Sequence, residues 1–168
     1  MTAFPALAEA FGNIEIVLVW GLVATLVLTV GMYASQGLGV SRLSLPFLMG
    51  FYVTRRRSRA AIFGLLLYMF GGWVFAFLYA WLFATLGFSG WQWGLLGGLL
   101  HGLFLLAVIL PLLPYLHPRV ASPYSGPTAR RRLEPPGFLG LNYGRMTPVT
   151  TLVSHAAYGS ILGWALPG

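Results

Sequence analysis

Residues 91–116 read WQWGLLGGLLHGLFLLAVILPLLPYL, and the fold turns on how this stretch is read. It holds no Asp, Glu, Lys or Arg, and it exceeds the roughly 20 predominantly apolar residues that carry a helix across a hydrocarbon layer about 30 Å thick. Away from water a backbone must satisfy its own N–H and C=O groups, which a helix does within a single segment. The stretch therefore predicts a membrane-spanning helix. Three more stretches share its character, at 14–34, 60–87 and 147–166, and none of the four contains an arginine.

Composition points the same way. Of 168 residues, 58% are hydrophobic and only 8% charged, against about 25% charged in soluble domains, and the mean hydropathy is +0.79. There is no cysteine, which excludes disulfide frameworks, thiolate metal sites and thiol nucleophiles. The ten basic residues are all arginine and face only Glu9, Glu15 and Glu134, so almost no carboxylate is left for acid–base catalysis or for binding a hard metal ion.

The arginines also predict the threading. Arg42, Arg55, Arg56, Arg57 and Arg59 lie between the first and second stretches, and Arg119, Arg130, Arg131, Arg132 and Arg145 between the third and fourth. With four spans these two loops share a side, and the positive-inside rule puts that side in the cytoplasm of a bacterial inner membrane, with both termini periplasmic. The uncharged connection 88–90 suits a tight outer hairpin. Residues 1–13 carry Glu9 and no basic residue, so the first span is expected to be permanent rather than a cleaved signal. The expected fold is all-α, a single polytopic transmembrane domain over 1–168 with four transmembrane helices and cytoplasmic loops at 35–59 and 117–146. Within the first loop, LSLPFLMGFYV at 43–53 is apolar but too short to span, and is read as a short interfacial helix, a re-entrant segment being the alternative. The second loop, rich in proline, glycine and arginine, is expected to be irregular.

Small residues predict how the spans pack. Gly94, Gly98 and Gly102 recur every fourth residue on one face of the third span; Gly72, Ala76, Ala80 and Ala84 form a similar strip on the second, and Gly159 and Gly163 on the fourth. Such seams let backbones approach closely, either within the chain or against a flat cofactor or partner helix. Tyr79, Trp81, Trp91, Trp93 and Trp164 fit an outer aromatic belt. The triplets Arg55, Arg56, Arg57 and Arg130, Arg131, Arg132 are expected to meet anionic lipid headgroups, each nearby arginine contributing roughly 1 kcal/mol. Split across two short loops, they do not describe a nucleic-acid surface.

Few polar groups lie within the spans. Thr25 and Thr29 can return their hydroxyls to carbonyls one turn back. His101 and His155 remain, both near mid-depth by residue count, and an ionisable group at that depth is by default a functional candidate. They are expected to face the bundle interior, hydrogen-bonded to each other or to a hydroxyl such as Tyr68 or Ser154, acting as axial ligands of a haem, or forming a proton relay. No catalytic triad, HExxH pair or phosphate-binding glycine loop appears, so no catalytic residue and no metal site is expected.

The combination of GLLHG at 98–102 within the third span's LLGGLLHG, LHPR at 116–119 and TPVTTLVSHAAYGSILG at 147–163 resembles an uncharacterised family of small bacterial four-helix integral membrane proteins. The resemblance covers the last three spans. It implies the four-helix fold and adds weight to His101, His117 and His155 without implying a reaction. Two functions follow as expectations. The first is a non-enzymatic small subunit or assembly partner of a larger inner-membrane complex, in contact with lipid and with other membrane protein subunits. The alternative is a four-helix protein binding b-type haem or another tetrapyrrole through His101 and His155.

Overall fold

The computed structural model describes residues 3–122, 126–130 and 132–167. The protein is all-helical. In chain order the helices are α1 Ala3–Gly12, α2 Ile14–Gly37, α3 Leu45–Val53, α4 Arg57–Leu86, α5 Trp91–Phe104, a π-helical segment Leu105–Ile109, α6 Leu110–Leu116, a 3-10 segment Phe138–Tyr143 and α7 Thr147–Ala165. Three helical stretches, Ile14–Gly37, Arg57–Leu86 and Trp91–Leu116, are long and apolar enough to cross a membrane.

The third of these runs through Pro111 and Pro114 without stopping. A proline lacks the N–H that its carbonyl partner four residues back would accept, and its ring crowds that carbonyl. The π-helical turns sit just ahead of Pro111, where a wider ladder makes room for the ring. α4 begins at Arg57, so its first turn carries two arginines and no acidic residue.

α7 is 19 residues long and more polar than the other long helices. Most of its polar groups are on one face: Thr147, Thr151, Ser154 and His155 are buried and recur with Tyr158 and Leu162 at helical spacing, while Thr150 and Ser160 are half-buried. Its most exposed large side chains are Val149, Val153 and Trp164, all apolar.

The chain forms two compact units. One is drawn from Met1–Gly31, Met69–His101 and Leu152–Gly168. Here small residues set the packing. A Cβ on Gly21 would lie 2.8 Å from the Cβ of Ala76, and one on Gly72 would overlap the side chain of Thr25, so α2 and α4 meet at Gly72 and Ala76. Thr25 and Thr29 donate to the carbonyls of Gly21 and Thr25, each at 2.6 Å, which satisfies both hydroxyls within the helix. α5 and α7 meet through Gly94 and Gly98 on one side and Gly159 and Gly163 on the other, and a Cβ on any of the four would run into backbone atoms of the facing helix. The amide of Gly90, in the turn between α4 and α5, donates to the Gly163 carbonyl at 3.1 Å.

The other unit is drawn from Met32–Tyr68 and Gly102–Thr151. α3 lies against the first turns of α4 with no side chain between them, since a Cβ on Gly50 would overlap the Ala60 backbone and one on Gly64 the Pro46 backbone. The two arginine-bearing loops touch: Arg42 pairs with Glu134 at 3.1 Å, its amide donates to the Tyr143 carbonyl at 2.6 Å, and Ser41 and Thr147 share a hydrogen bond of 2.9 Å. Gly144, with φ of +136°, brings the chain within 2.8 Å of the Val40 carbonyl at the position where another residue would place its Cβ. Outside the 3-10 segment the described part of the second loop is irregular, with isolated bridges between Val120 and Leu133 and between Ser122 and Gly126.

Candidate functional site

The backbone contact at Gly98 brings His101 and His155 together. Gly98 lies against His155 and Ala156, so His101, one turn further along α5, is carried to the same level of α7. The ring centres of His101 and His155 are 4.9 Å apart with planes at 78°, an edge-to-face arrangement. Phe75 of α4 stacks on His101 at 4.0 Å, and Tyr79, one turn on from Phe75, lies 6.3 Å from the same ring. Tyr158 completes the cluster at 6.1 Å from His101 and 5.8 Å from Tyr79, and its hydroxyl donates to the Gly72 carbonyl at 2.7 Å.

Two polar atoms in this cluster, His101 Nδ1 and the Tyr79 hydroxyl, are buried and make no hydrogen bond. Such groups are rare in protein interiors and costly. Tyr68, an expected partner for the histidines, instead has a buried hydroxyl that bonds to nothing. Tyr79 is not a belt residue, being only 5% exposed: its α-helical register with Phe75 turns it onto the histidine pair. Trp91, Trp93 and Trp164 are exposed, and Trp164 meets Trp20 edge-on at 5.1 Å.

The pair does not fit an axial haem site. A metal ion bound between two imidazoles holds each nitrogen at about 2 Å, which sets the ring centres about 6 Å apart. Here they are closer, and α5 touches α7 through Gly98 and Gly159 with no slot for a macrocycle. Among the described residues no three His, Asp or Glu side chains gather as a metal site. In this arrangement the rings pack α4, α5 and α7 against one another, and the Tyr158 hydroxyl ties α7 to the Gly72 carbonyl of α4.

The remaining sequence-derived residues fall as follows. Gly72, Ala76, Gly94, Gly98, Gly159 and Gly163 line contacts between helices, and Ala80 and Gly102 are buried. Arg55, Arg56, Arg57, Arg130 and Arg132 are exposed, whereas Arg131 lies outside the described residues. His117 is buried beside α3: its Nε2 is 2.9 Å from the Leu48 carbonyl, its Nδ1 accepts the Arg119 amide at 3.1 Å, and Tyr52 stands edge-on to it at 4.0 Å. Sequence reasoning missed Gly50 and Gly64, which form a seam as tight as that of Gly98. Gly50 is a lone glycine inside an apolar run, and Gly64 follows Ala60 by four residues as a single small-residue pair at the start of the second span. No family model, no curated protein and no solved structure matches the chain.

Proposed function

We propose that the chain is a four-span integral protein of the bacterial inner membrane, without chemistry of its own, that serves as a small subunit or assembly partner of a larger complex. The fourth span is α7. Four of its polar groups, Thr147, Thr151, Ser154 and His155, are turned inward, and the large side chains it exposes, Val149, Val153 and Trp164, are those a helix offers to lipid. α3 is then an interfacial helix, both arginine loops are cytoplasmic by the positive-inside rule, and both termini are periplasmic. The resemblance to small four-helix membrane proteins agrees with this reading.

The observation that carries the partner role is the imbalance of burial among the apolar helices. In α4 only 11% of the most apolar window is buried, against 33% in α2 and 22% in Trp91–Leu116, although α4 is the longest of the three. The glycine seams are used up inside the chain, and the histidine cluster is closed by packing, so α4 is the broad face left for another helix. Photo-crosslinking amino acids at Leu66, Phe70 and Val74, all exposed, test this in cells, with exposed Val30 on α2 as the comparison. A discrete protein adduct from the α4 positions is expected. Lipid adducts alone, at α4 and at Val30 alike, would rule the partner role out. Protein purified after growth with ample haem should show no Soret band.

A further inference from the structure

A cleft of about 360 Å³ opens in the unit that holds the two arginine loops. Its walls are apolar, with Phe47 and Phe51 from α3 and Leu133 from the second loop, and its charged groups are Arg42, Arg57 and Glu134. A volume of this size lies at the lower end of the range of about 300–1,000 Å³ typical of small-molecule sites.

The two guanidinium groups differ. Arg42 is already paired, to Glu134 at 3.1 Å and to the Asn142 carbonyl at 2.6 Å. Arg57 has no carboxylate partner among the described residues; its Cζ stands 5.6 Å from the centre of the Phe47 ring, which holds it at the cleft. It is also the first residue of α4, where the partial positive charge of the helix end adds to those of Arg55, Arg56 and Arg59. Cations at the start of a helix are disfavoured, and an acidic residue in the first turn would offset them, but α4 has none. The hydroxyl of Ser44, which also lines the cleft, is buried and makes no hydrogen bond. Positive charge without an answering anion, a donor without an acceptor and apolar walls thus meet in one cavity.

We propose that this cleft binds a phosphodiester monoanion bearing hydroxyl groups, the chemistry of a phosphatidylglycerol-type headgroup, with Arg57 gripping the phosphate and Glu134 accepting from the hydroxyls. The guanidinium fork matches two phosphate oxygens. Glu134 selects against a more highly charged phosphate monoester, which its carboxylate repels, and favours a neutral hydroxyl-bearing head. The aromatic walls suit the start of the acyl-glycerol portion. The lipid as source rests on the four-span reading, since that reading puts the cleft at the cytoplasmic interface.

The test uses the full chain in neutral detergent and follows its thermal midpoint with dioleoylphosphatidylglycerol, dioleoylphosphatidylcholine or soluble glycerophosphoglycerol. Phosphatidylglycerol should raise the midpoint and phosphatidylcholine should not. Arg57→Gln should lose more than half of the shift, Arg57→Lys should keep only part of it, and Arg130→Gln and Arg132→Gln should keep it whole. A shift from glycerophosphoglycerol alone leaves the site standing and makes the soluble ester its source. Equal shifts in wild type, Arg57→Gln and Arg57→Lys, or equal losses from Arg57→Gln and Arg130→Gln, would overturn the proposal, the latter by revealing diffuse surface attraction. If Arg57→Gln does not fold, the comparison of Arg57→Lys with Arg130→Gln decides. Labelling of Ser58→Cys from the periplasmic side would break the four-span reading and leave the detergent result intact.

Discussion

His117 Nδ1 accepts the Arg119 amide, so the ring carries its one proton on Nε2 and donates it to the Leu48 carbonyl. A second proton would have to go onto Nδ1, against that amide. Burial lowers the pKa of His117 below the usual histidine value and the nearby Arg119 charge lowers it further, while the bond to Leu48 opposes both. Tyr52, whose own pKa burial raises, stays neutral against it. Because the folded-state pKa is depressed, the unfolded chain takes up the proton first. The contribution of His117 is therefore complete above about pH 6.5 and is lost as the pH falls from there toward the folded-state value. The thermal midpoint in detergent should drop between pH 7.5 and 5, and by less in His117→Gln; identical profiles would refute the assignment. The tyrosines of the histidine cluster give a second contrast. Tyr158→Phe removes a hydroxyl bonded to the Gly72 carbonyl and should cost about 1 kcal/mol, whereas Tyr79→Phe removes one that bonds to nothing and should be neutral or stabilising. Chemical denaturation of the two variants side by side checks both signs.

At the level of elements, the helices are joined by missing side chains. Gly98 against His155 and Gly50 against Ala60 each leave a backbone where a methyl group would go, so Gly98→Ala and Gly50→Ala should each destabilise by about 1–3 kcal/mol, as overpacking does. Gly12 at the end of α1 has open space around its missing Cβ, and Gly12→Ala should be neutral or slightly stabilising by helix propensity. Thermal midpoints in one detergent compare all three, and a Gly98→Ala midpoint equal to that of Gly12→Ala would refute the seam. The Gly98 contact was legible because Gly94, Gly98 and Gly102 mark one helix face by repetition. The Gly50 contact was not, because α3 is short and has no repeat, and the single pair Ala60 and Gly64 on α4 does not say which segment covers it. The strip from Gly72 to Ala80 was legible as small, but that Thr25 of α2 lies against Gly72 and Gly21 against Ala76 depended on the rotation of α2.

For the whole molecule, the two termini and the 88–90 turn belong to one compact unit and both arginine loops to the other. The Arg42–Glu134 pair ties the loops to the same side, although two largely exposed charges contribute only about 0.2–1 kcal/mol. In the four-span threading, Ser58→Cys should be protected from an impermeant thiol reagent in intact spheroplasts and Ser89→Cys labelled, both positions being exposed. The reverse pattern would invert the topology. The sequence by itself determined the helical, apolar character of the chain, the positions of its long helices and the grouping of its arginines, because hydropathy and charge are properties of runs and need no partner. It also named His101 and His155, since an ionisable group in an apolar run is conspicuous in one dimension. That these rings meet edge-on under Phe75, too close for a metal ion between them, that Tyr79 turns inward, and that Arg57 and Glu134 share a cleft were decided only by the tertiary structure. Each depends on the rotation of a helix about its axis and its register against a neighbour, and those are set by how side chains and missing side chains interlock across segments distant in the chain.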